Sequence, residues 1–321
     1  MSRDISAQPP LLAEHHVRLP EQVADLLNAS PAHAQGLTGK GIRVAVIDSG
    51  FFAHPYYEER GYRIRLIPTR KERNPEIDDY GHGTAQLASL FAISPNVEAL
   101  AVKCMDRDPS YALEKALELR PHVISCAWGF NIDHPEQNFL PREYRRMQKL
   151  ILRAYDQGIS VVAAGGNGQH SFPGCMPEVL AAGGIYYAPD GSYHPSDVSS
   201  RFVSSIYPGR QVPDICGLVG NRPHGRLLLV PVPPRAKLAR RNSFAAIAAG
   251  KSSDVLKSKG WAMFSGTSAA TAMISGACAL LLEKMPDLSP SQIKAALVGS
   301  ARHVGDERLL DTSAALNYLK F

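Results

Sequence analysis

Along the chain, short apolar runs bounded by turn residues alternate with stretches in which apolar positions recur at helical spacing. The apolar runs are IRVAVI (42–47), VEALAVKC (97–104), HVISCAW (122–128), ISVVAA (159–164) and VLAAGGI (179–185). Each has strand length and a high content of Val, Ile and Ala. Because they are continuous rather than alternating, they predict strands buried on both faces, and hence a mostly parallel central sheet flanked by helices. Helical spacing predicts helices over 82–92, 111–119, 142–157, 268–285 and 289–300. Strands and helices in alternation predict βαβ units and a three-layer α/β fold. No internal repeat or low-complexity tract interrupts the pattern.

Size and charge narrow this picture. A chain of 321 residues with 45% apolar content can bury one large core without dividing. The pattern weakens before Gly36, where Pro and His are frequent and only 21–34 suggests a short helix. The expected organisation is an N-terminal extension, 1–35, packed on one domain, 36–321. A second reading lays the extension across the active site as an inhibitor. The net charge is +5, and the basic residues are scattered except for RAKLARR (235–241). With no aromatic-interleaved basic stripe, nucleic acid is not expected as a partner. Neither a secretory h-region nor a span of about 20 apolar residues occurs, so no membrane association and a cytoplasmic location are expected. The five cysteines, odd in number and widely spaced, suit buried reduced thiols better than a disulfide framework.

Three residues carry the candidate chemistry. Asp48 ends the IRVAVID run, His82 sits in GHGT, and Ser268 sits in SGTSAA at the start of a helical stretch. Each has an ordinary structural alternative as a turn or cap residue. Their order, acid then base then nucleophile, is one of the known orders of serine triads, and separations of 34 and 186 residues mean that only a fold can unite them. In a parallel sheet, strand carboxyl ends and the following helix amino ends face one crevice, and all three residues fall there. Serine attacks an amide only when a base removes its proton; His82 suits that role, with Asp48 holding the ring. Free N–H groups at the helix start favour an oxyanion beside Ser268.

Through GKGIRVAVIDSG, YGHGTAQLAS, VVAAGGNG and FSGTSAATAMISG the chain resembles the subtilase family of serine peptidases, over about Gly36 to Ala301. The resemblance implies a subtilisin-like fold and a serine endopeptidase acting through an acyl-enzyme on an intracellular protein or precursor peptide. It also implies that the Asn167 side chain joins the Ser268 N–H in binding the oxyanion. Extended substrate would lie between Ala127-Trp128-Gly129 and Gly165-Gly166, where glycines admit close backbone approach. Phe130 stands where the family often has a small residue; it either reshapes the pocket before the scissile bond or points into the core. Ala272 replaces a usual proline, which is expected to relax the turn beneath Ser268 and raises a peptide ligase or macrocyclase as an alternative. A non-proteolytic peptide-binding homologue is the other alternative. The long 217–260 insertion suggests a strand in LLLVPVPP and then a basic loop, 235–259, that is either disordered or gates the crevice. No cofactor is expected. Calcium is common in subtilases, but no dense Asp/Asn loop nominates a site, and Asp78-Asp79 reads more simply as a hydrated turn. His54, His134 and His170 read as surface or loop residues, and no cluster has zinc-ligand spacing.

Overall fold

The computed structural model describes residues 5–9, 16–105, 108–132, 138–221, 224–239 and 260–318. Within them lies a ten-stranded sheet. Arg63–Ile67, Glu98–Lys103, Arg43–Asp48, Val123–Cys126, Ser160–Ala164, Val179–Tyr187, Ile215–Leu218 and Glu307–Leu309 follow one another across it in parallel. Antiparallel strands Arg302–Val304 and Tyr193–Pro195 complete it. All five expected strands are present.

The two faces of the sheet serve two cores, as the side-chain alternation of a strand requires. From the Arg43–Asp48 strand, Val44 and Val46 enter one core, and Ala45 and Ile47 enter the other. The first core takes in the helices His82–Ile93, Thr267–Lys284 and Pro290–Gly299; the second takes in Ser110–Glu118 and Arg145–Asp156. Helix Thr267–Lys284 is apolar all round and buried nearly throughout, running under the sheet strands and against His82–Ile93. Helix Pro290–Gly299 opens with a capping box between Ser289 and Gln292.

Three regions depart from the sequence pattern. Arg63–Ile67 is an edge strand whose alternating arginines hid it; those charges suit an edge exposed to water. The expected helix over 21–34 is two helices, Glu21–Leu26 and Ser30–Ala34, broken where Asn28 adopts a left-handed φ of 53°. The insertion does contain the expected strand, Leu227–Pro231, but that strand belongs to a separate three-stranded sheet. It pairs antiparallel with Trp261–Phe264 and parallel with His16–Arg18 from the N-terminal segment. Val17, Leu19, Val23 and Leu27 are consequently buried in the first core. Residues 240–259, which hold most of the expected basic loop, lie outside the described residues.

Candidate active site

Asp48 is the last residue of its strand, so its side chain leaves the sheet at the carboxyl edge. Its Oδ1 accepts from the Ser49 N–H and meets His82 Nδ1, both at 2.7 Å. His82 opens the helix that follows Gly81, a left-handed residue with φ 87° that glycine adopts without strain. Helix and strand then approach so closely that a Cβ on Gly83 would lie 2.3 Å from the Gly50 carbonyl oxygen and 3.0 Å from Asp48 Cβ. Glycine at 83 is what lets the His82 ring reach Asp48.

Burial works to lower the His82 pKa, but the charge and hydrogen bond of Asp48, with Asp78 behind, outweigh it and leave the imidazole above its ordinary value. The edge of the ring meets Phe264, 5.6 Å between centroids.

Ser268 is the second residue of helix Thr267–Lys284, where backbone N–H groups have no intrahelical partner. Its hydroxyl donates to the Ala127 carbonyl at 2.7 Å. Asn167 is oriented by its amide oxygen, which accepts from the Thr267 N–H (2.9 Å) and the Thr267 hydroxyl (3.1 Å). That leaves the amide NH₂ as the free donor. One cavity of about 390 Å³ is lined by Asp48, His82, Asn167 and Ser268 together with Ala127, Trp128 and Gly129. Trp128 is held there by its indole N–H, which donates to the Ile47 carbonyl at 2.8 Å.

Gly165 and Gly166 do not line this cavity. Their backbone is engaged within the protein instead: Gly165 N–H donates to the Ala182 carbonyl, and the Gly166 carbonyl accepts from Ser200 N–H. Phe130 lines the cavity and also packs on Trp128 and Tyr144, so the two readings of that ring merge. Ala272 is fully buried and the helix is continuous through it.

Of the pair Asp78-Asp79, only Asp79 is an exposed turn residue. Asp78 is buried, and its carboxylate accepts from the Ser49 hydroxyl, the Gly81 N–H, and the N–H and hydroxyl of Thr84 at 2.6–2.9 Å. Burial raises its pKa despite these hydrogen bonds. Asp78 thus ties the Asp48 strand to the His82 turn, a role unread from the sequence although Asp four residues before His82 in DDYGHGT was the available signal. Nor is His54 a surface residue. It is buried, caps helix Pro55–Glu59 by accepting from the Tyr56 N–H (3.1 Å), and meets the Gly260 carbonyl at 2.9 Å through Nε2. His170 stacks on Phe202, and His134 lies outside the described residues. Among the described residues no group of three or more His, Cys, Asp or Glu is placed to hold a metal ion. No helix among them is long and apolar enough to cross a membrane.

The sequence profile of the Subtilase family matches residues 39–314. The chain belongs to the subtilase family. Serine protease AprX of Bacillus subtilis (strain 168) is 29% identical over 308 residues, covering 86% of this subtilase and 64% of the relative. Subtilisin amylosacchariticus of Bacillus subtilis subsp. amylosacchariticus is 25% identical over 304 residues, covering 87% and 65%. This subtilase therefore spans just under two thirds of the length of these curated relatives. Among solved structures, a lanthipeptide protease superposes with a TM-score of 0.71 at 17% identity, covering 93% of this chain and 94% of that one. The prenylagaramide maturation protease PagA gives 0.65 at 21%, covering 91% and 98%. The fold is subtilisin-like.

Proposed function

We propose that this subtilase is a serine endopeptidase in which Asp48, His82 and Ser268 form the catalytic triad and Asn167 completes the oxyanion hole. The observation that carries this reading is the 2.7 Å contact between Asp48 Oδ1 and His82 Nδ1 in a cavity that also holds Ser268 and a pre-oriented Asn167 amide. With Nδ1–H committed to Asp48, His82 Nε2 is the nitrogen left to accept a proton. The Ser268 hydroxyl exchanges the Ala127 carbonyl for Nε2, attacks the substrate carbonyl, and passes its proton to His82. The imidazolium then protonates the leaving amine, stabilised by Asp48. The Ser268 N–H and the Asn167 NH₂ receive the oxyanion, and water completes hydrolysis of the acyl-enzyme.

Extended substrate lies along Ala127-Trp128-Gly129, and the substrate is an intracellular protein or precursor peptide. Cys126, Cys175, Cys216 and Cys278 are buried thiols outside any disulfide, which supports a reducing compartment. The likeness to structures named for lanthipeptide and prenylagaramide maturation supports a precursor peptide.

The test is labelling by a fluorophosphonate probe at neutral pH. Wild type is expected to label, and Ser268→Ala and His82→Ala are not. Labelling that persists in either variant, or folded wild type that does not label, would overturn the assignment.

A further inference from the structure

The turn Asp79–Gly81 delivers His82, and it is held from two sides. On the inner side the Asp78 carboxylate accepts the Gly81 N–H. On the outer side, residues of the insertion supply the complementary donors: Lys237 N–H to the Asp79 carbonyl and Leu238 N–H to the Tyr80 carbonyl, both at 3.0 Å. Side chains of the same segment cover Gly81, where a Cβ would lie 2.8 Å from Ala236, 3.4 Å from Val232 and 3.5 Å from Leu238.

This outer clasp is itself anchored. Val232 N–H donates to the Gly260 carbonyl at 2.8 Å, and the next residue, Trp261, donates its indole N–H to the Ser6 carbonyl at 2.8 Å. The strand leading into the clasp, Leu227–Pro231, pairs with His16–Arg18 of the N-terminal segment on one edge. On the other edge it pairs with Trp261–Phe264, which runs into the Ser268 helix.

We propose that Val232–Leu238 is the positioning element of His82, and that the N-terminal segment is the latch that keeps it in place. A glycine in the left-handed region leaves a turn several accessible conformations. The Asp78 carboxylate can only accept hydrogen bonds, so it cannot hold the Asp79 and Tyr80 carbonyls, which the clasp holds. With the latch seated, the His82 ring stays on Asp48; with the latch removed, the turn samples arrangements in which that hydrogen bond is broken. The role deepens the endopeptidase reading and rests on His82 acting as the base. It makes the N-terminal segment an intramolecular activator, the opposite of an inhibitor lying across the crevice.

The experiment compares full-length wild type with Leu238→Ala, the paired Val232→Ala/Leu238→Ala, and Leu238→Met on one peptide substrate. Fluorophosphonate labelling runs in parallel. The expected result is a fall in kcat of at least 10-fold for the double variant, with KM within two-fold and Leu238→Met restoring the rate. The acid limb of kcat/KM against pH is expected to move to lower pH, because a His82 loosened from Asp48 loses what raises its pKa. Full-length Trp261→Phe, which removes the indole N–H held by the Ser6 carbonyl, is expected to lower kcat likewise but less. If the variants fold and keep wild-type kcat and pH profile, the proposal is overturned. Should the double variant not fold, the single Ala, Met and Phe replacements decide. Wild type that does not label would instead overturn the endopeptidase reading, so the two failures are distinguishable.

Discussion

His54 is buried, His82 is partly buried, and both touch the strand Trp261–Phe264. One ring centroid is 5.4 Å from Trp261 and the other 5.6 Å from Phe264. Their protonation behaviour is opposite. Around His54 stand a backbone N–H, a backbone carbonyl and the rings of Trp261, Tyr57 and Phe52, and burial drives its pKa down to about 4. Around His82 burial acts in the same direction, but the Asp48 carboxylate reverses the outcome. Desolvation is thus common to both sites, and the Asp48 carboxylate at 2.7 Å, with Asp78 behind it, separates a structural histidine from a candidate base.

Replacing the groups around each ring should break or sharpen that contrast. Ser268→Ala should have the largest effect, lowering kcat on the order of 10⁶-fold, the scale of the same replacement in subtilisin; single-turnover peptide hydrolysis would measure it. Asp48→Asn removes the charge that distinguishes the two histidines and should lower kcat roughly 10⁴-fold, through the wrong tautomer of His82. A loss below tenfold would remove Asp48 from the mechanism. Asn167→Ala should cost about 10²- to 10³-fold in kcat with little change in KM, since its NH₂ acts on the charge that develops in the transition state. The acid limb of kcat/KM in wild type should fall above pH 6.5, because His82 must be neutral to act and its pKa is raised. A limb below pH 6.5 would contradict the Asp48 pairing.

His54 should show itself only in stability. Its folded-state pKa is lowered from 6.5 to about 4, so its contribution is fully present above 6.5 and is lost as pH falls toward 4. The loss is about 3 kcal/mol, on 1.36 kcal/mol per pKa unit. Urea unfolding of wild type and His54→Phe at pH 6.5 and 4.5 should show a smaller drop for the variant. An equal drop would mean that His54 is not the group being protonated.

Much of this was legible in the sequence because it is local. The runs at 42–47, 97–104, 122–128, 159–164 and 179–185 carry continuous apolar character, and all became strands. Asp48, His82, Asn167 and Ser268 stand in short motifs with glycine beside them, and all four line one cavity. Harder to read were groups whose neighbours come from far along the chain. Asp78 accepts from Gly81 and Thr84 within its own motif, but its link to the Asp48 strand runs through Ser49, 29 residues away, and so was not legible. His54 looked like a loop residue because its partner Gly260 is 206 residues away. The strand Leu227–Pro231 was visible, but its pairing with His16–Arg18 was not, since three residues carry no detectable period.

The sequence by itself determined the fold class, the positions of the candidate nucleophile, base and acid, and their order, because strand burial, helix starts and turn chemistry are written in neighbouring residues. Only the tertiary structure decided that His54 is buried without a carboxylate partner, which aspartate locks the turn beside His82, and which distant segments close around Gly81. Those outcomes depend on which groups burial brings to within about 3 Å, and no local pattern encodes that distance.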